Sequence, residues 1–312
     1  MRRRIVGASF LAAAALVTSF FVSPAAARQS PGHADEAECV EHGPFNTLQR
    51  LTKPASWKVR DPHQLLENQP SAPKRARPGG TDFRVVVPTY IHVITNGSLG
   101  AVSDDTIKRQ MIALDLSFRG FYGGVDTGFR FDLRGVTRTN NAAWFNMGAG
   151  SSAESAAKRA LRAGGPNALN IYTTSGGGFL GWAYYPDIVL NAANYHLDGV
   201  VVDFESLPGG AYGTQYSLGF TASHEAGHWL NLAHTFEGGC FGPGDNVADT
   251  PAQSSPTSGC PIGRDSCPSD PGLDPIHNFM DYSYDSCYTE FSAGQAARMQ
   301  DAWTHWRGMM RN

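Results

Sequence analysis

The stretch TASHEAGHWLNLAHTF, residues 221–236, carries three histidines and a glutamate within eleven residues. On a helix, His224 and His228 project from one face about one turn apart, so two imidazoles can grip one ion. Glu225 points to the side of them, within reach of a water on that ion. Two histidine ligands with a carboxylate base beside them form the pattern of a zinc hydrolase. His234 cannot join them if the helix runs straight. Ten residues beyond His224, it would stand roughly 80° off that face and about 15 Å further along. The chain must therefore bend between His228 and His234. A bend that ends a helix needs a residue tolerant of positive φ, by default glycine. Asparagine follows glycine in that tolerance, which makes Asn231 the expected helix terminator. Structural zinc sites usually complete four protein ligands, whereas three histidines leave a position open for water. The chemistry expected is catalytic.

Working outward, the 312 residues carry 25 Lys/Arg against 28 Asp/Glu, with the charge unevenly spread. Residues 1–80 hold 11 basic and 6 acidic side chains, and residues 81–312 hold 14 and 22. The larger part has no basic patch, which argues against nucleic acid as a partner. The start, MRRRIVGASFLAAAALVTSFFVSPAAARQ, has three arginines, an apolar run and a small-residue site at residues 25–27. Residues 1–27 therefore read as a signal peptide cleaved after Ala27. An uncleaved anchor at 5–22 is the alternative, and the Pro-Ala-Ala-Ala ending favours cleavage. The mature chain is expected to be secreted and extracellular, with no membrane association after cleavage. Residues 28–80 lack periodicity and end in the Pro-rich, basic NQPSAPKRARPGG. They read as a propeptide and linker, cut near residues 74–77, where open chain is accessible.

From residue 84 the texture changes. RVVVPTYIHVIT reads as a buried strand, and SDDTIKRQMIALDLSFRG as a helix capped by Ser103 with Ile107, Met111, Leu114 and Phe118 on one face. FRFDLRGVTRT, NALNIYTT and DGVVVDFES supply further strands, SAESAAKRALRAG a helix ending at Gly164, and SAGQAARMQDAWTHWRGMM the last helix. Residues 238–275 are rich in Gly, Pro, Asp and Cys and read as irregular. The fold class is α+β: a mixed sheet with packed helices, then an irregular C-terminal part. Four of the five cysteines, Cys240, Cys260, Cys267 and Cys287, cluster within 48 residues. In an exported chain they point to two disulfides with three possible pairings. Cys39 stands apart.

HEAGHWLNLAH resembles the extended zinc signature of the metzincin peptidases, H-E-x-x-H-x-x-G-x-x-H, with Asn231 in place of the glycine. HNFMDYSYDSCYTEFSAGQ resembles the Met-turn of the pappalysin branch, and VADTP and the Thr-Phe after His234 are similar to it as well. The likeness spans residues 84–312 and includes the small secreted cytophagalysin-type enzymes. It implies a metzincin-type twisted mixed sheet with a catalytic domain at 81–312. It implies His224, His228 and His234 as zinc ligands, Glu225 as base and Met280 as the apolar floor of the site. Tyr282 would place its hydroxyl near the zinc, where it could donate to an oxyanion. It also implies the pairings Cys240–Cys267 and Cys260–Cys287, and calcium held by Asp245, Asp249 and Thr250. Cys39 is a candidate latency switch that would block the zinc in the precursor.

The activity so implied is zinc-dependent endopeptidase cleavage of protein or peptide substrates by a monomer. Substrate is expected to lie antiparallel to a sheet edge near residues 200–204. A specificity pocket is expected beside the Met-turn at 284–286, where Asp285 could attract a basic side chain. A zinc amidase acting on non-protein amides is disfavoured by the Met-turn. A non-catalytic zinc protein would have no need of Glu225.

Overall fold

A computed structural model describes residues 40–42 and 83–308. The expected signal peptide, Cys39 and the expected cleavage region at 74–77 lie outside the described residues.

Strands β1 (Val40–His42), β2 (Val85–Thr95), β3 (Phe129–Asn140), β4 (Leu169–Thr174), β5 (Gly181–Tyr184) and β6 (Val200–Asp203) form one sheet. Their order is β1-β5-β6-β4-β2-β3. Every pairing is parallel except β5 with β6. Helix α1 (Asp104–Phe118) starts at Ser103, whose hydroxyl accepts the Thr106 amide at 3.1 Å. It buries Ile107, Met111, Leu114 and Phe118 against the sheet, as their spacing of three and four predicts. Helices α2 (Ala142–Phe145) and α3 (Ser152–Leu161) follow, then α4 (Gly213–Tyr216), α5 (Phe220–Trp229) and α6 (Ala293–Ala302). Helix α3 stops before Gly164, because Arg162 has already turned to extended ψ.

The period of two along each strand sorts side chains into two cores. Val200 and Val202 of β6, Ile171 of β4 and Ala183 of β5 join α1, α5 and the segment around Met280 on one face. Val201, Tyr172, Trp182 and Tyr184 point to the other face, with Ile94, Phe145 and Ala157. Behind that second face sits Glu154 of α3, fully buried. It accepts the Trp182 indole N–H at 2.8 Å, the Tyr184 hydroxyl at 2.9 Å and the Lys158 ammonium at 2.8 Å. A buried carboxylate with this many donors pins β5 from behind.

The expectation that substrate would pair near residues 200–204 is corrected here. Strand β6 is interior, flanked by β4 and β5. Beyond β6 the sheet runs out through β5, only four residues long and antiparallel to its neighbour. On its outer side β5 pairs parallel with Val40–His42.

Residues 238–275 contain no helix or strand, and disulfides Cys240–Cys267 and Cys260–Cys287 hold this stretch together. In each bridge the cysteines are 27 residues apart in sequence. Closing loops of that length removes much unfolded-state entropy where no regular core exists.

Candidate active site

Helix α5 starts at Gly219, in the left-handed region at φ 91°, without a side-chain cap of its own. Its cap comes from 67 residues away: the Asp285 carboxylate accepts the Leu218 amide at 2.8 Å and faces the Gly219 and Phe220 amides. Burial raises this carboxyl to about 7, against the pull of those donors.

The helix carries His224, Glu225 and His228, all buried. At its C-terminus the Asn231 amide returns to the His228 carbonyl at 2.8 Å and the Leu232 amide to that of Gly227 at 2.9 Å. These two bonds around a left-handed residue are the Schellman arrangement. Asn231 is the left-handed residue, at φ 76°. The turn carries His234 back to the helix. The Nε2 atoms of His224, His228 and His234 stand 3.1–3.2 Å from one another.

The other ring nitrogens settle what those contacts are. His224 Nδ1 donates to the Phe279 carbonyl at 2.6 Å, and His228 Nδ1 donates to the Leu232 carbonyl at 2.7 Å. With the proton on Nδ1, each Nε2 presents a bare lone pair. Lone pairs crowded at this distance repel unless a cation lies among them. Nitrogens about 2.0–2.1 Å from one ion at near-tetrahedral angles would stand about 3.3 Å apart, close to what is seen. Desolvation holds His224 well below its ordinary value and His234 at about 3, so both stay neutral, as ligands must. The donor set fits a zinc ion.

The segment around Met280 packs against the histidine helix. Phe279 holds the His224 ring, and the Met280 carbonyl accepts the Thr235 amide at 3.2 Å, tying the strand of chain beside His234. Met280 is fully buried, and its sulfur lies against Gly227: a Cβ at that position would meet it at 2.4 Å. A glycine is required there for this close approach. Tyr282 is half-buried, with its ring edge-on to His234 at 4.8 Å and beside Phe236, which stacks on His234 at 4.6 Å.

Strand β5 forms the wall over the helix. A Cβ on Gly181 would lie 2.9 Å from Glu225 Cγ and Oε1, so the strand backbone rests on the glutamate. Past the end of β5, Tyr185 packs edge-on to His228. Before it, Leu180 joins Tyr216, Phe220, His224, Tyr282 and Tyr288 around a hollow, with Asp285 in its lining. This hollow lies beside the Met280 segment, where the specificity pocket is expected. Asp285 neither faces solvent nor waits unengaged in that pocket, because the helix amides hold it.

Calcium is not supported. Asp245 accepts the Val247 amide at 3.0 Å and the Thr250 hydroxyl at 2.8 Å. Asp249 turns away to the start of α6, accepting the Ser292 hydroxyl at 2.6 Å and the Gly294 amide at 2.8 Å. Local donors use these oxygens: Thr250 bonds to both Asp245 oxygens, while Asp249 is engaged at the start of α6. The sequence reading missed β5 and its contact with Glu225. The signal was the glycine run at 176–178 followed by GWAYY, a short aromatic segment bounded by turn residues.

Residues 169–304 match the profile of the peptidase M43 family, described as pregnancy-associated plasma protein-A. An extracellular metalloprotease of Pyricularia oryzae is 47% identical over 228 residues, covering 72% of this chain and 76% of the relative. One from Podospora anserina is 41% identical over 302 residues, covering 95% of this chain and 97% of the relative. Among solved structures, mature mirolysin of Tannerella forsythia in complex with a cleaved peptide superposes with a TM-score of 0.61 at 29% identity. That match covers 70% of this chain and 92% of mirolysin. The histidine cluster, the Met-turn beneath it and this kinship agree: the chain belongs to the pappalysin (M43) family of metzincin metalloendopeptidases.

Proposed function

We propose that the protein is a secreted zinc endopeptidase in which His224, His228 and His234 hold the metal and Glu225 is the general base. The observation that carries this reading is the three Nε2 atoms within 3.2 Å, two of them with the ring proton directed outward to a carbonyl. A zinc ion held there supplies Lewis acidity, polarising a scissile carbonyl and making a water acidic enough to attack near neutral pH.

The chain's own groups do the rest. The outer edge of β5 binds an extended substrate strand antiparallel through backbone hydrogen bonds, which suits cleavage within a chain. Glu225, beneath Gly181, takes the proton of the attacking water and passes it to the leaving amine. The Tyr282 hydroxyl donates to the developing oxyanion. The side chain just after the cut enters the hollow, where aromatic walls accept a long aliphatic stem and Asp285 attracts a basic tip.

The domain plan supports secretion as a precursor: signal at 1–27, propeptide and linker at 28–80, catalytic domain at 81–312. Val40–His42 lies along the side of β5 that substrate would use, which supports a propeptide covering the cleft. Cys39 precedes it directly in the chain and is the latency candidate. A Cys39→Ser precursor should cleave substrate before processing, and an inert one removes that role.

Glu225→Gln tests the base. The variant should keep one zinc per chain and lose turnover by about 10²–10⁴-fold, the range for a positioned base. Wild-type turnover in a zinc-loaded variant would exclude Glu225 from that role.

A further inference from the structure

Placing His234 depends on one bend, and the bend is gripped from outside. Within it, the Leu230 amide bonds to Ala226 and Gly227, that of Asn231 to His228, and that of Leu232 to Gly227. Helix ends leave carbonyls needing partners. Here the Trp229 carbonyl accepts from Arg307 Nε at 2.9 Å and the Asn231 carbonyl from Arg298 Nε at 2.6 Å. Both arginines belong to the C-terminal end of the described chain, in α6 and the turn that follows it. They stand 67 and 78 residues from the carbonyls they hold.

The two grips differ in kind. Arg307 is fully buried, its guanidinium 3.5 Å from the Trp229 ring centroid and 3.1 Å from Asp198. Asp198 also accepts the Trp229 indole N–H at 3.0 Å and pairs with Arg162 at 3.1 Å. This is a structural knot at the end of α5. Arg298 is half-buried, within the electrostatic reach of Asp245, and bonds to the left-handed residue itself. A left-handed non-glycine residue is costly without support, less so for asparagine than for other side chains.

We infer that Arg298 is a positioning residue for the metal site: by holding the Asn231 carbonyl it fixes the turn that presents His234 to His224 and His228, with Arg307 securing the helix end behind it. The inference rests on the metal-site reading above and adds that metal retention is set from the C-terminal helix. Loss of the Arg298 bond frees the turn, and His234 becomes the ligand that swings away first. Zinc then leaves faster, while the cleft walls and Asp285 stay as they were.

The test is the rate at which zinc passes from holoenzyme to excess colorimetric chelator, a readout independent of catalysis. Arg298→Met should release zinc about tenfold faster, the low end of the range for groups that orient ligands. Arg298→Lys keeps the charge and N–H donors on a different geometry and should fall between Met and wild type. Arg119→Met, which removes a partly exposed pair with Asp115 of α1, should release zinc like wild type. KM measured under saturating zinc should not move, since Arg298 does not touch the groove. Wild-type release rates in both Arg298 variants overturn the inference even if their melting temperatures fall. A wild-type protein that takes up no zinc overturns the metal-site reading and this inference with it.

Discussion

A methyl group at Gly181 is the smallest change that reaches Glu225 without touching a histidine. Built on the observed backbone, its carbon lies 2.9 Å from Glu225 Cγ and Oε1 and 2.8 Å from the Val201 carbonyl oxygen. Carbon contacts become comfortable only near about 3.5 Å, so the gap must open by roughly 0.6 Å. Val201 is fixed by pairing on both sides of β6, leaving the glutamate as the side that yields. Overpacking of this kind costs about 1–3 kcal/mol. A displacement approaching about 1 Å in a catalytic group costs on the order of 10²-fold in rate. Gly181→Ala should therefore lose between one and two orders of magnitude in kcat, with KM and zinc content near wild type. Steady-state hydrolysis of a quenched fluorescent peptide, with metal analysis and a thermal melt, reads all three. Gly148→Ala serves as the control, because a Cβ there meets nothing within 4 Å. A folded, zinc-loaded Gly181→Ala enzyme with wild-type kcat would refute the packing of β5 on the base.

Further outcomes concern two buried acids. Asp285 is raised to about 7 by burial, so the folded protein holds a proton that the unfolded chain releases near pH 4. Its contribution to stability is complete below about pH 4 and lost as pH rises to about 7. Thermal melts of wild type and Asp285→Asn across that window should show their difference changing in wild type's disfavour. In the same enzyme, preference for Lys or Arg after the cut should strengthen as pH passes about 7 and vanish in Asp285→Asn, read from cleavage-site profiling. Glu154→Gln leaves the fully buried Lys158 without its charge partner and should cost about 3–5 kcal/mol in chemical denaturation. KM should rise in that variant, because Trp182 and Tyr184 of β5 share the same carboxylate.

What the sequence disclosed follows the reach of its signals. The metal cluster was legible because His224, His228 and the turn at Asn231 obey local helix geometry over eleven residues. Helix α1 was legible from Ser103 and an apolar stripe of regular period. Strand β5 was not, because four residues starting at a glycine carry no usable alternation, and its place in the sheet is a property of pairing. Asp285 illustrates the same limit: its acidity and place near the Met-turn were plain, but its partners are amides at the start of α5. The calcium expectation found no support, because acidic composition does not reveal that Ser292 and Gly294 have already engaged Asp249.

The most direct measurement is cleavage of denatured casein or gelatin by the processed protein, before chelation, after it, and after zinc is restored. The account predicts cleavage that disappears with the chelator and returns with one zinc per chain, cut sites lying within the substrate chain. A processed, zinc-loaded protein that cuts neither substrate, or one whose cleavage survives complete removal of the metal, would contradict it.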